Sequence, residues 1–228
     1  MHALPVAEGP APVADAAHPL QVTDRAGIAV ASGPQADYAG ASSGVEYALP
    51  TSLRTLHFDT LRLCASPLRD IDFHLFASLF TAPITMRHVG RPLTPTAVSA
   101  AFVAVLAEMD RVPARRLCWR LGTPADADVG LMSMSTWPST GSAELGIMLV
   151  PTAQRTGVAR EACAALLSEV FRTGLVSSVW LRHRRFNLAM ETLAGRLGFR
   201  PADTTDGLCQ WCLDAVEWQA LARRSTRD

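Results

Sequence analysis

The sequence predicts an α/β domain in which helices flank a mixed, mostly antiparallel central sheet. Three features carry this expectation. Three apolar segments of strand length, RRLCWRL, ADVGLMSMS and SAELGIML, follow one another with turn residues between them, as in a meander. From there to the C-terminus helical and strand patterns alternate, which places parallel pairing near the first crossover. The third apolar segment also runs straight into a loop of small residues and a helix, LVPTAQRTGVAREA over residues 149–162.

Residues 1–49 are crowded with Ala, Pro, Gly and Ser and hold no sustained period. They are expected to form a flexible leader, because so little bulky apolar surface does not offset the entropy of ordering. The folded domain is expected over residues 50–228. Its first strand is TLRLCASPL, residues 60–68, and Asp70 caps a helix through DFHLFASLF. Thr94 and Pro95 announce the next helix, a cap followed by proline at the first helical position, with Val98, Phe102, Val105, Leu106 and Met109 on one face. The three meander strands follow. The loop helix then shows Val158, Ala162, Ala165, Leu166 and Val170 on one face and stops at Gly174. VSSVWLR reads as a strand, NLAMETLAGRL as a helix stopped by Gly198, GLCQWCLD as a strand and AVEWQALARR as a final helix.

Composition narrows the function. Basic and acidic residues balance at 21 each, so no general field draws the chain to nucleic acid or an acidic membrane. Every basic residue other than histidine is an arginine, which removes lysine nucleophiles and Schiff bases from consideration. No run approaches the roughly 20 apolar residues that span a bilayer, and a soluble, cytoplasmic protein is expected. The five cysteines do not pair off as a disulfide framework. Cys209 and Cys212 form a C-x-x-C pair, but on a strand they point to opposite faces, and no further ligands complete a zinc site. No metal is expected.

The junction at residues 149–162 is the chemically informative one. A buried strand, a glycine-containing loop and a helix start bring backbone N–H groups and the positive end of a helix dipole into one small space, which suits a phosphate.

This element order and two motifs resemble the Gcn5-related N-acetyltransferases (GNAT superfamily), and within them the RimJ/RimL type. The first motif is the loop usually written Q/R-x-x-G-x-G/A, here Gln154, Arg155, Thr156, Gly157, Val158 and Ala159. The second is an asparagine opening a helix that ends in Leu-Gly-Phe, here Asn187 and then Leu197, Gly198 and Phe199. The resemblance spans about residues 54–218. It implies a strand splay that receives the acyl-CoA arm as a missing strand. It further implies acetyl-CoA as co-substrate, with Ile147 and Leu149 bonding the arm, residues 154–159 holding the pyrophosphate, and Asn187 steadying the cofactor. Gly157 would let the backbone approach the phosphates, and Ala159 would keep the first helical turn clear of them.

The implied reaction is direct attack of a primary amine, from a small molecule or a protein N-terminus, on acetyl-CoA. Glu144, where this type often carries a glutamate, is the candidate general base; otherwise it is a strand-edge charge. Relatives often carry a Ser or Tyr soon after the asparagine, and here Met190 and Glu191 stand there, with Thr192 expected to turn away. That gap keeps open a non-catalytic acyl-CoA-binding or regulatory module. The methionines of LMSMS suggest either an apolar lining that admits a longer acyl donor or ordinary core. The acceptor would enter near His74, Arg87, His88, Arg91 and Trp137, no nucleic acid or membrane partner is expected, and a homodimer is allowed for.

Overall fold

The alternating apolar patterns assemble into a single eight-stranded sheet. The computed structural model describes residues 48–137, 139, 141–205 and 207–225; all but the last two residues of the expected leader lie outside these. The elements are β1 (Phe58–Asp59), β2 (Cys64–Pro67), α1 (Phe73–Thr81), α2 (Pro83–Met86), α3 (Pro95–Asp110), β3 (Arg116–Gly122), β4 (Asp128–Thr136), β5 (Ser142–Leu149), α4 (Val158–Arg172), β6 (Ser178–Arg184), α5 (Leu188–Leu197), β7 (Arg200–Thr205), β8 (Leu208–Asp214) and α6 (Ala215–Ser225). The strand order is β1-β2-β3-β4-β5-β6-β8-β7. Every pair is antiparallel except β5 with β6.

Helices cover both faces of this sheet. On one face α4 and α5 bury Val158, Ala162, Leu166, Val170, Ala194 and Leu197 against Met132, Met134, Leu145, Ile147, Val179 and Leu181. On the other, α1 and α3 bury Phe76, Phe80, Val98, Phe102 and Val105 against Cys118, Leu131 and Met148. Central strands covered on both sides must be apolar at nearly every position, which is why β4 and β5 read as continuous runs. Burial of the aliphatic and aromatic side chains contributes roughly 1.5–3 kcal/mol each.

Local rules set the ends. Thr94 Oγ1 accepts from Ala97 N–H at 3.2 Å and Pro95 opens α3, as the sequence indicated, though Leu106 is only half-buried. Gly198 closes α5 by donating to Ala194 and Gly195 carbonyls. Gly130 is required by close approach: a Cβ there would lie 2.1 Å from Met148 O and 2.9 Å from Leu149 Cα.

Several expectations are corrected. Leu49, assigned to the leader, is buried in the core and its N–H donates to Ala114 O at 2.8 Å. The first long strand is only Cys64–Pro67, because Thr60 folds residues 60–63 into a turn by accepting Leu63 N–H on its hydroxyl at 3.0 Å. Asp70 does not cap α1: a 3-10 turn, Asp70–Asp72, precedes the helix, and the Asp72 carboxylate bonds back across it, accepting Arg69 N–H at 2.8 Å. β7 carries Pro201 and polar residues, which an edge strand tolerates and a period-based reading misses. α2, a single turn, is too short to show a period.

Candidate active site

Strands β5 and β6 run in parallel register for only three pairs, Ser142 with Ser178, Ala143 with Val179 and Glu144 with Trp180, and then part. Beyond Glu144, β5 continues to Leu149 and β6 to Arg184, so a gap opens between their C-terminal halves. The antiparallel ladder on the other edge of β5 decides what faces that gap. Val150 N–H donates to Val129 O at 3.0 Å. Alternation then sends the N–H groups of Met148 and Gly146 toward β4 and those of Leu149 and Ile147 into the gap. Ile147 and Leu149 are the two residues to which the resemblance assigned the arm. Gln154 Nε2 donates to Leu149 O at 3.1 Å and ties the following loop to this strand.

That loop is built to present backbone N–H groups. Arg155 has φ +63° and Gly157 φ +85°, two left-handed residues around Thr156 that curl the chain into α4. Gly157 is the N-cap and offers no side-chain acceptor, and the first intrahelical bond runs from Glu161 N–H to Gly157 O at 3.2 Å. The N–H groups of Val158, Ala159 and Arg160 therefore have no partner within the helix. Thr156 turns its hydroxyl back to Ala153 O at 2.7 Å, and Val158 is buried as a core anchor. A buttress unseen in the sequence holds the loop from outside. Glu161 accepts from Thr60 Oγ1 at 2.5 Å and from Arg62 Nε at 2.7 Å, while Arg62 Nη1 donates to Thr156 O at 3.0 Å. The Thr60 hydroxyl, followed by Arg62, holds the Glu161 carboxyl below its usual range.

A cavity of about 570 Å³ occupies the gap. Gln154, Arg155, Gly157, Ala159 and Asn187 line it together with Ile147 and Leu149, so seven of the nine predicted cofactor residues converge, with Thr156 and Val158 set behind them. Asn187 also caps α5, its Oδ1 accepting Met190 N–H at 3.3 Å. Both Met148 and Ile147, on opposite faces of β5, reach the cavity, as do His183 and Arg184 of β6. It therefore passes through the sheet, with α4 and α5 on one side and α2 on the other.

The charge of the lining is one-sided. Five arginines, 87, 155, 160, 184 and 196, line it, and no Asp or Glu does. Arginines 62, 116, 120, 172, 182 and 200 all pair with carboxylates. Among the described residues no carboxylate pairs with any of the five. Burial first, then the neighbouring Arg87 and Arg184, push the His88 imidazolium below its ordinary value. His183 is fixed differently. The Trp211 indole can only donate, at 2.9 Å to Nε2, so Nδ1 carries the proton and donates to Arg184 O at 2.9 Å.

The remaining predicted residues are more scattered. Glu144 lies at the apex of the splay, 5% exposed, outside the cavity lining and gripped by Arg182 through two bonds of 2.8 and 2.7 Å. Trp137 stacks on Trp180 at 4.9 Å, with Arg182 over its ring at 4.9 Å. His74 bonds Asp128 at 2.8 Å instead of facing the cavity. Of the five acceptor candidates only Arg87 and His88 line it. Thr192 does line it, against expectation, although its hydroxyl donates to Leu188 O at 2.8 Å. Met132 and Met134 are core under α4 and do not line it; the methionines that do are Met148 and Met190. Arg160, Arg184 and Arg196 were missed, because no local pattern brings β6, α4 and α5 to one space.

Comparison with known proteins agrees with this geometry. The family model described as "Acetyltransferase (GNAT) domain" matches residues 62–200, more than half of the chain. No curated protein matches the sequence. Solved structures share the fold at low identity. A GCN5-related N-acetyltransferase from Brucella melitensis is 16% identical, with TM-score 0.62 over 74% of this chain and 83% of that one. An acetyltransferase from Agrobacterium tumefaciens str. C58 is 20% identical, with TM-score 0.59 over 76% and 99%. The spermidine N-acetyltransferase from Vibrio cholerae, in complex with CoA and spermine, is 15% identical, with TM-score 0.61 over 69% and 98%. With a splayed parallel pair, a left-handed glycine loop at the start of α4 and a matching family model over the same residues, the chain belongs to the GNAT acetyltransferase family.

Proposed function

We propose that the protein transfers an acetyl group from acetyl-CoA to a primary amine, by direct attack, in the manner of the RimJ/RimL type. The observation that carries the reading is the cavity itself. It runs through the strand gap, begins at unpartnered helix N–H groups and holds five arginines without a carboxylate. Such a lining fits a long ligand with phosphates at one end. The Vibrio cholerae structure, with CoA and spermine bound, supports both the cofactor and an amine acceptor for this fold.

Acetyl-CoA supplies an activated thioester; the chain supplies position and charge. Gln154, Arg155, Gly157, Ala159 and Arg160 would hold the pyrophosphate, and Ile147 and Leu149 N–H groups would bond the arm, one of them polarising the acyl oxygen. Asn187 would hold the arm from α5. The lining contains no Ser, Cys or Lys, and its Thr85 and Thr192 hydroxyls both donate to backbone carbonyls. Buried Cys118 and Cys163 are pushed up to about 12. Nothing on the cavity wall is set up as an acyl-accepting nucleophile, which favours direct attack.

The amine must shed a proton. Two groups are placed for that: Glu144 at the apex, which would act through water because Arg182 holds both its oxygens, and His88 on the wall. The experiment is calorimetric titration with acetyl-CoA followed by thiol release with amines. Binding with amine-dependent release is expected; binding with no release from any amine would favour a CoA-responsive module.

A further inference from the structure

The cavity's two ends differ in what they can hold. Arg155 and Arg160 sit at the start of α4 and Arg196 on α5, on the sheet face where the loop would cradle phosphates. Arg87 and Arg184 sit on the other face. Arg87 and His88 follow α2, whose Met86 packs with α1 and α3. Arg184 alternates along β6 with Arg182 and Trp180, away from the buried Val179 and Leu181, and its Nη2 donates to Val89 O at 3.4 Å. Cations on this side lie through the sheet from the phosphate loop.

No carboxylate lines this side of the cavity. Trp180 Nε1 is buried and has no hydrogen-bond partner among the described residues. The carboxylate opposite it, Glu144, is already held twice by Arg182. Neither Trp180 nor Glu144 lines the cavity. The lowered proton affinity of His88, partly caused by Arg87 and Arg184, reports the same positive potential.

Resting on the acetyltransferase reading, we infer that the acceptor is an amine that also carries an anionic group, a carboxylate or a phosphate, recognised by Arg87 and Arg184 on the α2 side of the cavity. A polyamine is the wrong substrate here: each further ammonium would meet two guanidiniums and no carboxylate. The same cations help the chemistry. Positive charge near the attacking ammonium favours its neutral, nucleophilic form, and the anionic group secures the acceptor against that repulsion. The step forms the N–C(acyl) bond, breaks the C–S bond, and passes the amine proton to the base or solvent as the thiolate leaves.

The test uses matched acceptors with the full-length protein: O-phosphoethanolamine against ethanolamine, L-phenylalanine against L-phenylalaninamide, and spermidine. Each anionic member should exceed its neutral twin in kcat/KM by about tenfold or more, as charge-assisted bonds allow. Arg87→Glu, at an exposed position, should collapse that ratio by raising KM for the anionic acceptor, and Arg184→Gln should reduce it. The carboxylate and phosphate pairs separate the two anion types. Preference for spermidine or the neutral twins, a ratio unmoved by Arg87→Glu, or no turnover of any anionic amine would each overturn the inference. Acetyl-CoA titration of the same samples separates the levels: binding without anionic preference defeats the acceptor inference alone, and no binding defeats both.

Discussion

Replacing Gly157 separates two properties of the proposed phosphate loop, its backbone shape and its charge. At φ +85° any L-residue is strained, and a left-handed residue costs about 1–2 kcal/mol. A Cβ there would meet only Arg62 Nη2, at 3.6 Å, an ordinary contact. Gly157→Ala should therefore lower stability by about that strain, a fall in Tm of roughly 2–8 °C for a domain of this size, while leaving the cradle open. Gly157→Glu adds the same strain and a negative charge beside the phosphates. At about 5 Å and an effective dielectric near 20, one such repulsion is about 3 kcal/mol, or over a hundredfold in affinity. Thermal unfolding and calorimetric titration with acetyl-CoA read the two effects. The reasoning is refuted if both variants bind acetyl-CoA alike, because the loop would then hold no phosphate.

Arg62→Ala should loosen the loop by removing the bond to Thr156 O and the pair with Glu161, weakening acetyl-CoA binding several-fold and stability by about 1 kcal/mol or less after solvent screening. Because the folded state holds the Glu161 carboxyl low, its contribution is complete above the usual carboxylate range and lost as pH falls through the lowered value. The difference in unfolding free energy between wild type and Arg62→Ala should thus close in acid, and a constant difference would exclude the pair as its source. For proton removal, Glu144→Gln and His88→Gln are compared in pH profiles of kcat/KM. With His88 as base the acidic limb lies below the ordinary imidazole value and vanishes in His88→Gln, whereas a limb lost only in Glu144→Gln assigns the role to Glu144. Arg182→Ala should destabilise the fold by about 3–5 kcal/mol by stranding buried Glu144.

The meander, α3 with its Thr94–Pro95 start, and the strand-loop-helix at 142–172 were legible because period, caps and turn residues all act within a few residues. The same locality made the loop at Gln154 to Ala159 and the Asn187 cap readable as local structure. What escaped the sequence acts across it. Arg62 reaches Thr156 over 94 positions, and Arg182 reaches Glu144 over 38. Thr192 was expected to turn away because a helical wheel gives relative angles, while the orientation of α5 against β6 decides which angle meets the cavity. β7 escaped because edge position relieves it of the apolar pattern that marks a strand.

The gap between β5 and β6 is held open by what grips β5 on its other edge. Seven register pairs join β4 to β5, and at the end nearest the loop the two backbones are too close for a side chain on Gly130. A Cβ there would stand 2.1 Å from Met148 O and 2.9 Å from Leu149 Cα, both backbone atoms that cannot swing aside. Gly130→Ala must therefore displace β5 at Met148 and Leu149, the residues that border the cavity, although Gly130 itself does not line it. Overpacking of this kind typically costs about 1–3 kcal/mol, and the displaced atoms include the Leu149 carbonyl to which Gln154 anchors the loop. Acetyl-CoA affinity should fall along with stability, and in a protein still folded at 25 °C by circular dichroism. Unchanged affinity in a destabilised Gly130→Ala protein would mean that the gap does not depend on the β4–β5 ladder, and that α4 alone positions the loop.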